Sequence, residues 1–269
     1  MIRKIILGVL SVSFICAKVY GQNYFQGSRI GALANAGASI SDLWNISGNP
    51  AGFTSIHSFS ASIGYESRFL SKEFSTQSAI IGFPVKSNYF GLSFSSFGEQ
   101  PYTETTSTLS YAKTFGPNFS AGLKFNYHTV SILDYGNVAA YTIEVGMQVK
   151  VFPELTLGTH IVNPTREKFG NELQNPLFTI LRVGGRYNFS QRTFWVAEIE
   201  KTLSFAPVFK TAIEYGLLNA LSLRGGVLTN PFRETAGLGL HTANFAMDLG
   251  AISHPTLGFS SQMNLAYAF

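Results

Sequence analysis

The sequence predicts an all-β fold: a transmembrane, antiparallel outer-membrane β-barrel of about 14 strands with a small N-terminal plug. Three observations predict it. Only 13% of the 269 residues are charged, while 14% are aromatic, whereas a soluble domain usually carries about 25% charged residues. Most of the chain alternates between apolar and polar residues. An apolar leader comes first, and no later apolar run reaches the length of about 18 residues that indicates a spanning helix.

The first 21 residues are predicted to form a cleaved signal peptide. Arg3 and Lys4 supply the positive start, residues 5–17 are almost wholly apolar, and residues 19–21 fit a cleavage site. A membrane anchor is the alternative, but about 13 apolar residues are too few for a spanning helix. We therefore expect the mature chain to begin at Gln22.

Cys16 is the one cysteine of the chain and lies within the leader. Lipidation at Cys16 is a competing interpretation, although Ile15 stands where the lipoprotein signal requires a small side chain. With the leader removed, the mature chain has no thiol or disulfide chemistry.

The mature chain is close to neutral. Removing Arg3, Lys4 and Lys18 with the leader reduces the 19 basic side chains to 16, against 15 acidic ones. Proteins that bind nucleic acid present a clustered basic face, so nucleic acid is not expected as a partner. The expected surroundings are the lipids of the bacterial outer membrane, lipopolysaccharide and phospholipid, with the protein integral and both termini periplasmic.

Alternation begins after Phe53 and continues to the C-terminus. In residues 118–130, for example, Phe125 lies on the apolar face, and Lys124 and Asn126 lie on the polar one. Such segments match the length of about 10 residues per crossing in outer-membrane barrels. Short and longer connections alternate, as they do in bacterial barrels. The predicted strands span residues 57–67, 74–85, 89–98, 105–115, 118–131, 138–151, 154–163, 177–189, 192–202, 206–217, 220–229, 234–242, 244–253 and 256–269.

The last predicted strand ends on an aromatic residue. Leu265, Tyr267 and Phe269 share one face. This ending resembles the signal that barrel-assembly machinery recognises, so that machinery is an expected partner. The alternative is a buried edge strand of a soluble periplasmic β-sandwich that ends on phenylalanine by chance.

The polar faces of the strands carry charges of both signs, which we expect to line the lumen. A selective charged channel would be expected to show one sign in excess. Mixed signs favour paired charges that fill a narrow lumen, since a charge facing lipid costs about 2–4 kcal/mol. The predicted lumen charges are Lys124, Glu144, Arg182, Arg186, Lys210, Glu214, Arg224 and Asp248, together with Lys150, Glu198 and the histidines His128 and His160.

No catalytic or metal-binding pattern is present in the sequence. The five histidines lack the H-x-x-x-H spacing of a metal site, and no G-x-S-x-G motif occurs. We therefore expect no enzymatic activity, no catalytic residue and no cofactor.

Residues 28–53 are the part of the mature chain that does not alternate. Small residues there allow close backbone packing against an inner wall, and Asn49 before a proline favours a turn. The motif consists of Arg29, Gly31, Ala34 and Gly37, then Asp42 and Trp44, then Asn49, Pro50, Ala51 and Gly52. It resembles the N-terminal hatch of the FadL superfamily, and still more that of the PorV and PorQ branch of Bacteroidota. We assign residues 22–56 to this hatch and residues 57–269 to the barrel.

The resemblance implies two functions. Members of the PorV type are partners of large outer-membrane assemblies, so the main expectation is an accessory subunit of a larger complex for type 9 secretion or outer-membrane protein assembly. The alternative is a FadL-like passive channel for small hydrophobic compounds. The chain lacks the long outer loops that collect ligands in FadL-type transporters, which favours the first expectation. The plug is expected to be fixed.

Overall fold

Fourteen antiparallel strands close into a single barrel. The computed structural model describes residues 25–170 and 175–269; the predicted signal peptide lies outside them. The strands of the barrel are β1 (Ser60–Ser67), β2 (Ser75–Val85), β3 (Asn88–Glu99), β4 (Tyr102–Thr114), β5 (Phe119–Ile132), β6 (Gly136–Lys150), β7 (Leu155–Val162), β10 (Ile180–Asn188), β11 (Thr193–Thr202), β12 (Val208–Gly216), β13 (Leu221–Leu228), β14 (Arg233–His241), β15 (Phe245–His254) and β16 (Gly258–Ala268). Around the wall the order is β1, β16, β15, β14, β13, β12, β11, β10, β7, β6, β5, β4, β3 and β2.

The predicted strands agree with the observed ones to within three residues at each end. The connections differ more. The β3–β4 connection is shorter than expected because pairing continues to Glu99 and Tyr102. The link between β7 and β10 is longer than expected because it contains a small two-stranded sheet, β8 (Lys168–Phe169) and β9 (Asn175–Pro176).

The barrel wall is apolar outside and polar inside. On β5, Leu123 and Phe125 are 53% and 44% exposed, whereas Lys124 between them is 3% exposed. Successive side chains of a strand point to opposite faces, so the alternation places the apolar residues where lipid lies and the charged residues in the lumen.

Residues 25–56, called the plug below, lie inside the barrel. They contain the helix α1 (Ser28–Ala32) and two 3₁₀ segments, Leu43–Ile46 and Pro50–Ser55. The Asp42 side chain accepts a hydrogen bond from the Trp44 amide, and the Asn49 side chain accepts one from the Ala51 amide. These are N-cap bonds, which satisfy amides that a helix start leaves free. In the described residues, no helix is long and apolar enough to cross a membrane.

The main hydrophobic core lies between the plug and the wall. Plug side chains that are fully buried include Ile30, Leu33, Ile40 and Trp44. They pack in one cluster with residues of the inner wall, and a second cluster surrounds Ile46 and Phe53. The wall residues of the first cluster are Ile80, Phe194, Val196, Ala212 and Leu228.

Candidate functional site: the plug and the inner wall

Glycines on the inner wall form the seat of the plug. A Cβ on Gly122 would lie 2.7 Å from the Pro50 carbonyl carbon, and one on Gly250 would lie 2.9 Å from the Ser28 carbonyl oxygen. A Cβ on Gly158 would collide with the Ala38 carbonyl. Glycine inside a strand weakens it and often marks close approach of another backbone. The same holds for further wall glycines that face plug atoms: Gly64, Gly82, Gly91, Gly146, Gly226 and Gly237.

The first half of the sequence motif lies against β11 to β16. Ala34 donates its amide hydrogen to the Thr235 hydroxyl at 3.2 Å, and a Cβ on Gly31 would collide with the Gln262 side chain. Gly37 packs against Ile30, since a Cβ there would lie 3.1 Å from the Ile30 Cγ2 atom. These small residues therefore set how closely the plug approaches the wall.

The second half of the motif, residues 49–52, lies against β5 and β6. The Asn49 side-chain amide donates to the Ala38 carbonyl at 2.6 Å, which ties the two halves of the plug together. Ser120 of β5 donates to the Ala51 carbonyl at 3.1 Å. Gly52 lies beside the Ile40 carbonyl, where a Cβ would stand 2.6 Å from the oxygen.

One network of buried charges runs along six neighbouring strands, from β5 to β12. Lys124 contacts Glu144 at 2.9 Å, and Glu144 contacts His160 at 2.7 Å. Arg182 approaches the other ring nitrogen of His160 at 3.2 Å and pairs with Glu200 at 2.8 Å. The chain continues through Lys210, whose Nζ lies 2.7 Å from Glu200 and 2.8 Å from Glu198.

This network also holds the plug backbone. Lys124 donates to the Ser47 carbonyl at 2.7 Å, and Lys210 donates to the Asn35 carbonyl at 2.9 Å. Glu198 accepts a hydrogen bond from the Ala38 amide at 2.8 Å. Hydrogen bonds to charged groups are the strong ones, so the wall charges fix the plug as well as one another.

A second network starts from the plug itself. Arg29 pairs with Asp42 at 3.1 Å and donates two hydrogen bonds to Glu214 of β12, at 2.9 and 3.0 Å. Glu214 also pairs with Arg224 at 2.6 Å, and Arg224 pairs with Asp248 at 2.6 Å. The paired carboxylate–guanidinium geometry gives directional as well as charge complementarity.

The lumen charges are balanced in sign. The first network holds Lys124, Arg182 and Lys210 against Glu144, Glu198 and Glu200, and the second holds Arg29 and Arg224 against Asp42, Glu214 and Asp248. Arg186 adds a positive charge, with its guanidinium 5.6 Å from the centre of the Phe194 ring. Among these described residues, neither sign is in excess.

The plug is attached unevenly. Its hydrogen bonds and ion pairs to the wall go to β4, β5, β6, β11, β12, β14 and β16, for example from Ser110 of β4 to the Ile46 carbonyl at 2.8 Å. Among the described residues, β1, β2 and β3 form the longest run of neighbouring strands without such a bond to the plug, and β7 and β10 form a shorter one. A Cβ on Gly91 of β3 would lie 2.7 to 3.0 Å from the Ile46 side chain, and Trp44 packs equally closely on Gly64 of β1. The plug therefore meets β1–β3 through apolar contacts.

Known protein structures share this architecture. The TodX deltaS2S3 mutant monoaromatic hydrocarbon channel superimposes with a TM-score of 0.69 at 10% identity, covering 90% of this chain and 99% of that one. The Pseudomonas putida toluene transporter TodX gives 0.65 at 11% identity, covering 87% and 96%. A Pseudomonas aeruginosa FadL homologue gives 0.64 at 12% identity, covering 90% and 98%. This is the FadL-type outer-membrane barrel fold. No family profile matches the sequence, and no curated protein matches it.

Two of these structures are named for transport, as a monoaromatic hydrocarbon channel and a toluene transporter. In the part of the chain that the structure describes, no group of three His, Cys, Asp or Glu side chains is placed to hold a metal ion.

The C-terminal residues of this FadL-type barrel lie on its outer face. Phe269 donates its amide hydrogen to the Phe59 carbonyl at 2.9 Å, and its ring lies 4.8 Å from that of Tyr267. Leu265 pairs with Ile63 across the β1–β16 closure. The predicted assembly signal therefore forms part of the closing seam.

The sequence analysis did not identify all residues that line the lumen. Glu200 stands two positions from Glu198 and so shares its face by the strand period, yet only Glu198 was assigned to the lumen. The seat glycines were visible as glycines on polar strand faces. Lys150 was expected to line the lumen, but it is exposed because it is the last residue of β6 and reaches the barrel end.

Proposed function

We propose that this chain is a passive outer-membrane channel for small hydrophobic compounds, with both chain termini on the periplasmic side. The uneven attachment of the plug is the observation that carries the proposal. The similarity in fold to structures named as hydrocarbon and toluene transporters supports it.

The passage runs between the plug and strands β1–β3. Moving the plug away from this wall separates Ile46 and Trp44 from Gly91 and Gly64. The described ion pair between plug and wall, Arg29 with Glu214, lies on β12 and does not cross this gap. Exposed apolar surface costs roughly 25 cal/mol per Å² in water. An apolar solute that enters the gap covers that surface, so it lowers the free energy of the open state.

Hydrophilic solutes are excluded by the same arrangement. Large plug side chains such as Trp44 and Phe53 are fully buried and fill the lumen. A hydrated solute would meet the apolar contacts of Trp44 and Ile46 with the wall on the β1–β3 side and paired charges elsewhere. Transport of a polar solute through the closed barrel is therefore unfavourable on either side of the plug.

Uptake by intact cells tests the proposal. Cells whose outer membrane carries lipopolysaccharide would be given labelled toluene, or labelled glycerol as a hydrophilic control, with and without expression of the chain. We expect expression to raise toluene uptake severalfold and to leave glycerol uptake unchanged, since only an apolar solute stabilises the gap. Equal toluene uptake with and without heat-modifiable, folded protein in the membrane would contradict the proposal.

The second candidate is an accessory subunit of a larger outer-membrane complex, for type 9 secretion or outer-membrane protein assembly, as in the PorV and PorQ branch. The many hydrogen bonds and ion pairs between plug and wall favour the accessory function. They keep the barrel closed, and a closed barrel can act as a docking partner without transporting a solute. Purification from native membranes in mild detergent should then recover a much larger partner. Recovery as a monomer, together with protein-dependent toluene uptake, would favour the channel.

A further inference from the structure

The inner wall beside the free side of the plug is rich in hydroxyl groups. At its edge, where β3 to β6 line the lumen, a small cavity with a volume of about 10 Å³ has room for roughly one water molecule. It lies next to the plug residue Phe25, and Lys124 and Glu144 also border it. The remaining residues of its lining are Ser47, Ser93, Ser95, Thr106, Thr108 and Asn126.

Several polar groups near this cavity, outside its lining, have no hydrogen-bond partner. The side-chain oxygens of Thr76 and Ser78 and the indole nitrogen of Trp44 are buried without one. Buried polar groups in proteins are nearly always hydrogen-bonded, and an exception requires an explanation such as a water or a ligand. The hydroxyls of Ser93 and Ser95 likewise take part in no side-chain hydrogen bond among the described residues.

The strand register brings these groups together. Ser78 of β2 pairs with Ser95 of β3 and, on its other side, with Gly64 of β1. The Trp44 ring packs on Gly64, where a Cβ would lie 2.7 Å from its Cη2 atom. The indole and the wall hydroxyls therefore belong to one neighbourhood, which lies along the gap assigned above to the solute.

The charges at the cavity cancel each other. Lys124 is paired with Glu144 at 2.9 Å, and it also donates to the Ser47 and Gly48 carbonyls at 2.7 and 3.2 Å. Neither charge needs an additional ionic partner. The hydroxyls of Thr106 and Thr108 are already bonded to His128 and Asn126. The groups that remain are serine hydroxyls of the lining, which donate and accept, and the nearby Trp44 indole N–H, which only donates. A neutral hydroxyl group complements this set better than an anion or a cation does.

We propose that this cavity is a subsite for the hydroxyl group of the transported compound, so that small phenols or alcohols are preferred over pure hydrocarbons of the same size. The inference rests on the proposed channel function. The cavity holds one oxygen-sized group, while the apolar body of the compound lies between the plug and β1–β3. A compound without a hydroxyl leaves the wall hydroxyls unpaired and binds less tightly.

Fluorescence of Trp44 measures this binding directly. The chain has two tryptophans, and Trp195 lies 44% exposed on the outer face, so Trp195→Phe leaves Trp44 as the reporter. The folded barrel in lipid nanodiscs would be titrated with 4-methylphenol and with 1,4-dimethylbenzene, which differ by a hydroxyl in place of a methyl group. We expect the phenol to bind roughly threefold to tenfold more tightly, as one or two net hydrogen bonds give.

A matched pair of variants assigns the preference to the cavity. Ser93→Ala combined with Ser95→Ala should remove the preference for the phenol, whereas Ser96→Ala, on the opposite face of β3, should keep it. Equal binding of the two compounds, an unchanged preference in the double variant, or binding of neither would overturn the subsite. The channel function is judged separately: toluene uptake that persists without a phenol preference leaves it standing, and absence of uptake rejects it.

Discussion

Replacing Gly158 with valine is expected to push the plug off its seat and convert the closed barrel into an open pore. A Cβ at this position collides with the Ala38 carbonyl and lies 2.8 Å from the Ser39 Cα atom. Both are backbone atoms, so no rotamer change relieves the contact. The strand itself tolerates valine well, because β-branched residues suit strands. The barrel should therefore fold while the plug cannot seat.

Displacing the plug also breaks the hydrogen bonds that Ala38 makes. Ala38 donates its amide hydrogen to Glu198 at 2.8 Å and accepts hydrogen bonds from Gln148 and Asn49 at 2.9 and 2.6 Å. These bonds connect the plug to two strands and to itself. Losing them together should detach the middle of the plug around Ala38 from β6 and β11, while residues 28–35 keep their bonds to β12, β14 and β16.

Conductance across a planar lipid bilayer measures this effect. We expect discrete current steps for Gly158→Val and almost none for the unaltered chain. Gly225→Val is the matched control, since Gly225 lies on the outer face of β13 and a Cβ there meets its nearest atom, the Thr235 carbonyl oxygen, at 3.8 Å. A folded Gly158→Val barrel that gives no current steps would show that the wall glycines do not hold the plug in place.

Replacing Lys210 with methionine is expected to lower the free energy of unfolding by about 3–5 kcal/mol, the usual cost of removing one partner from a buried ion pair. Lys210 is 5% exposed and contacts Glu198, Glu200 and the Asn35 carbonyl. Methionine has similar length but cannot compensate the two carboxylates. Their mutual repulsion then acts in a lumen that water reaches poorly.

Urea unfolding, followed by loss of heat-modifiable migration on gels, reports this change. Lys150→Met is the control, because Lys150 is exposed at the end of β6. We expect the control to unfold within the experimental error of the unaltered chain. Similar midpoints for the two variants would mean that the charge network contributes little to the stability of the barrel.

The strands could be predicted because their signal is local. Alternation with a period of two is set by strand geometry alone, so each strand could be recognised without knowing its neighbours. The same period placed Lys124 and Glu144 on the lumen side. In a barrel that faces lipid, the outer surface must be apolar, and this made the alternation unusually clear.

The pairing of the lumen charges could not be predicted in the same way. Whether Arg182 meets His160 or Glu200 depends on the stagger between strands that are far apart in sequence, which alternation does not encode. The seat of the plug depends on two separate segments as well. Position 158 requires glycine because the Ala38 carbonyl lies against it. Nothing near either residue in the sequence indicates that the two are in contact.

The uneven attachment of the plug was also beyond sequence analysis. It depends on which strands present charges toward the plug and which present glycine, and that requires the plug to be placed first. The sequence led to the expectation of a fixed plug. The structure shows hydrogen bonds or ion pairs from the plug to β4–β6, β11, β12, β14 and β16 and only apolar contact on β1–β3, which is the basis for the proposed passage.

Two engineered disulfides test that passage most directly, since the predicted mature chain has no cysteine. Ile46→Cys with Gly91→Cys joins the plug to β3, because Ile46 Cγ atoms lie 2.7 to 3.0 Å from a Cβ at residue 91, within disulfide reach. Ala32→Cys with Gly250→Cys joins it to β15, where the two Cβ atoms would lie 3.7 Å apart.

Toluene uptake would be compared in the oxidised and reduced forms of each variant. We predict that the oxidised β3 disulfide abolishes uptake and that a reductant restores it, whereas the β15 disulfide changes uptake little in either form. Full uptake with the β3 disulfide closed would contradict a passage between the plug and β1–β3.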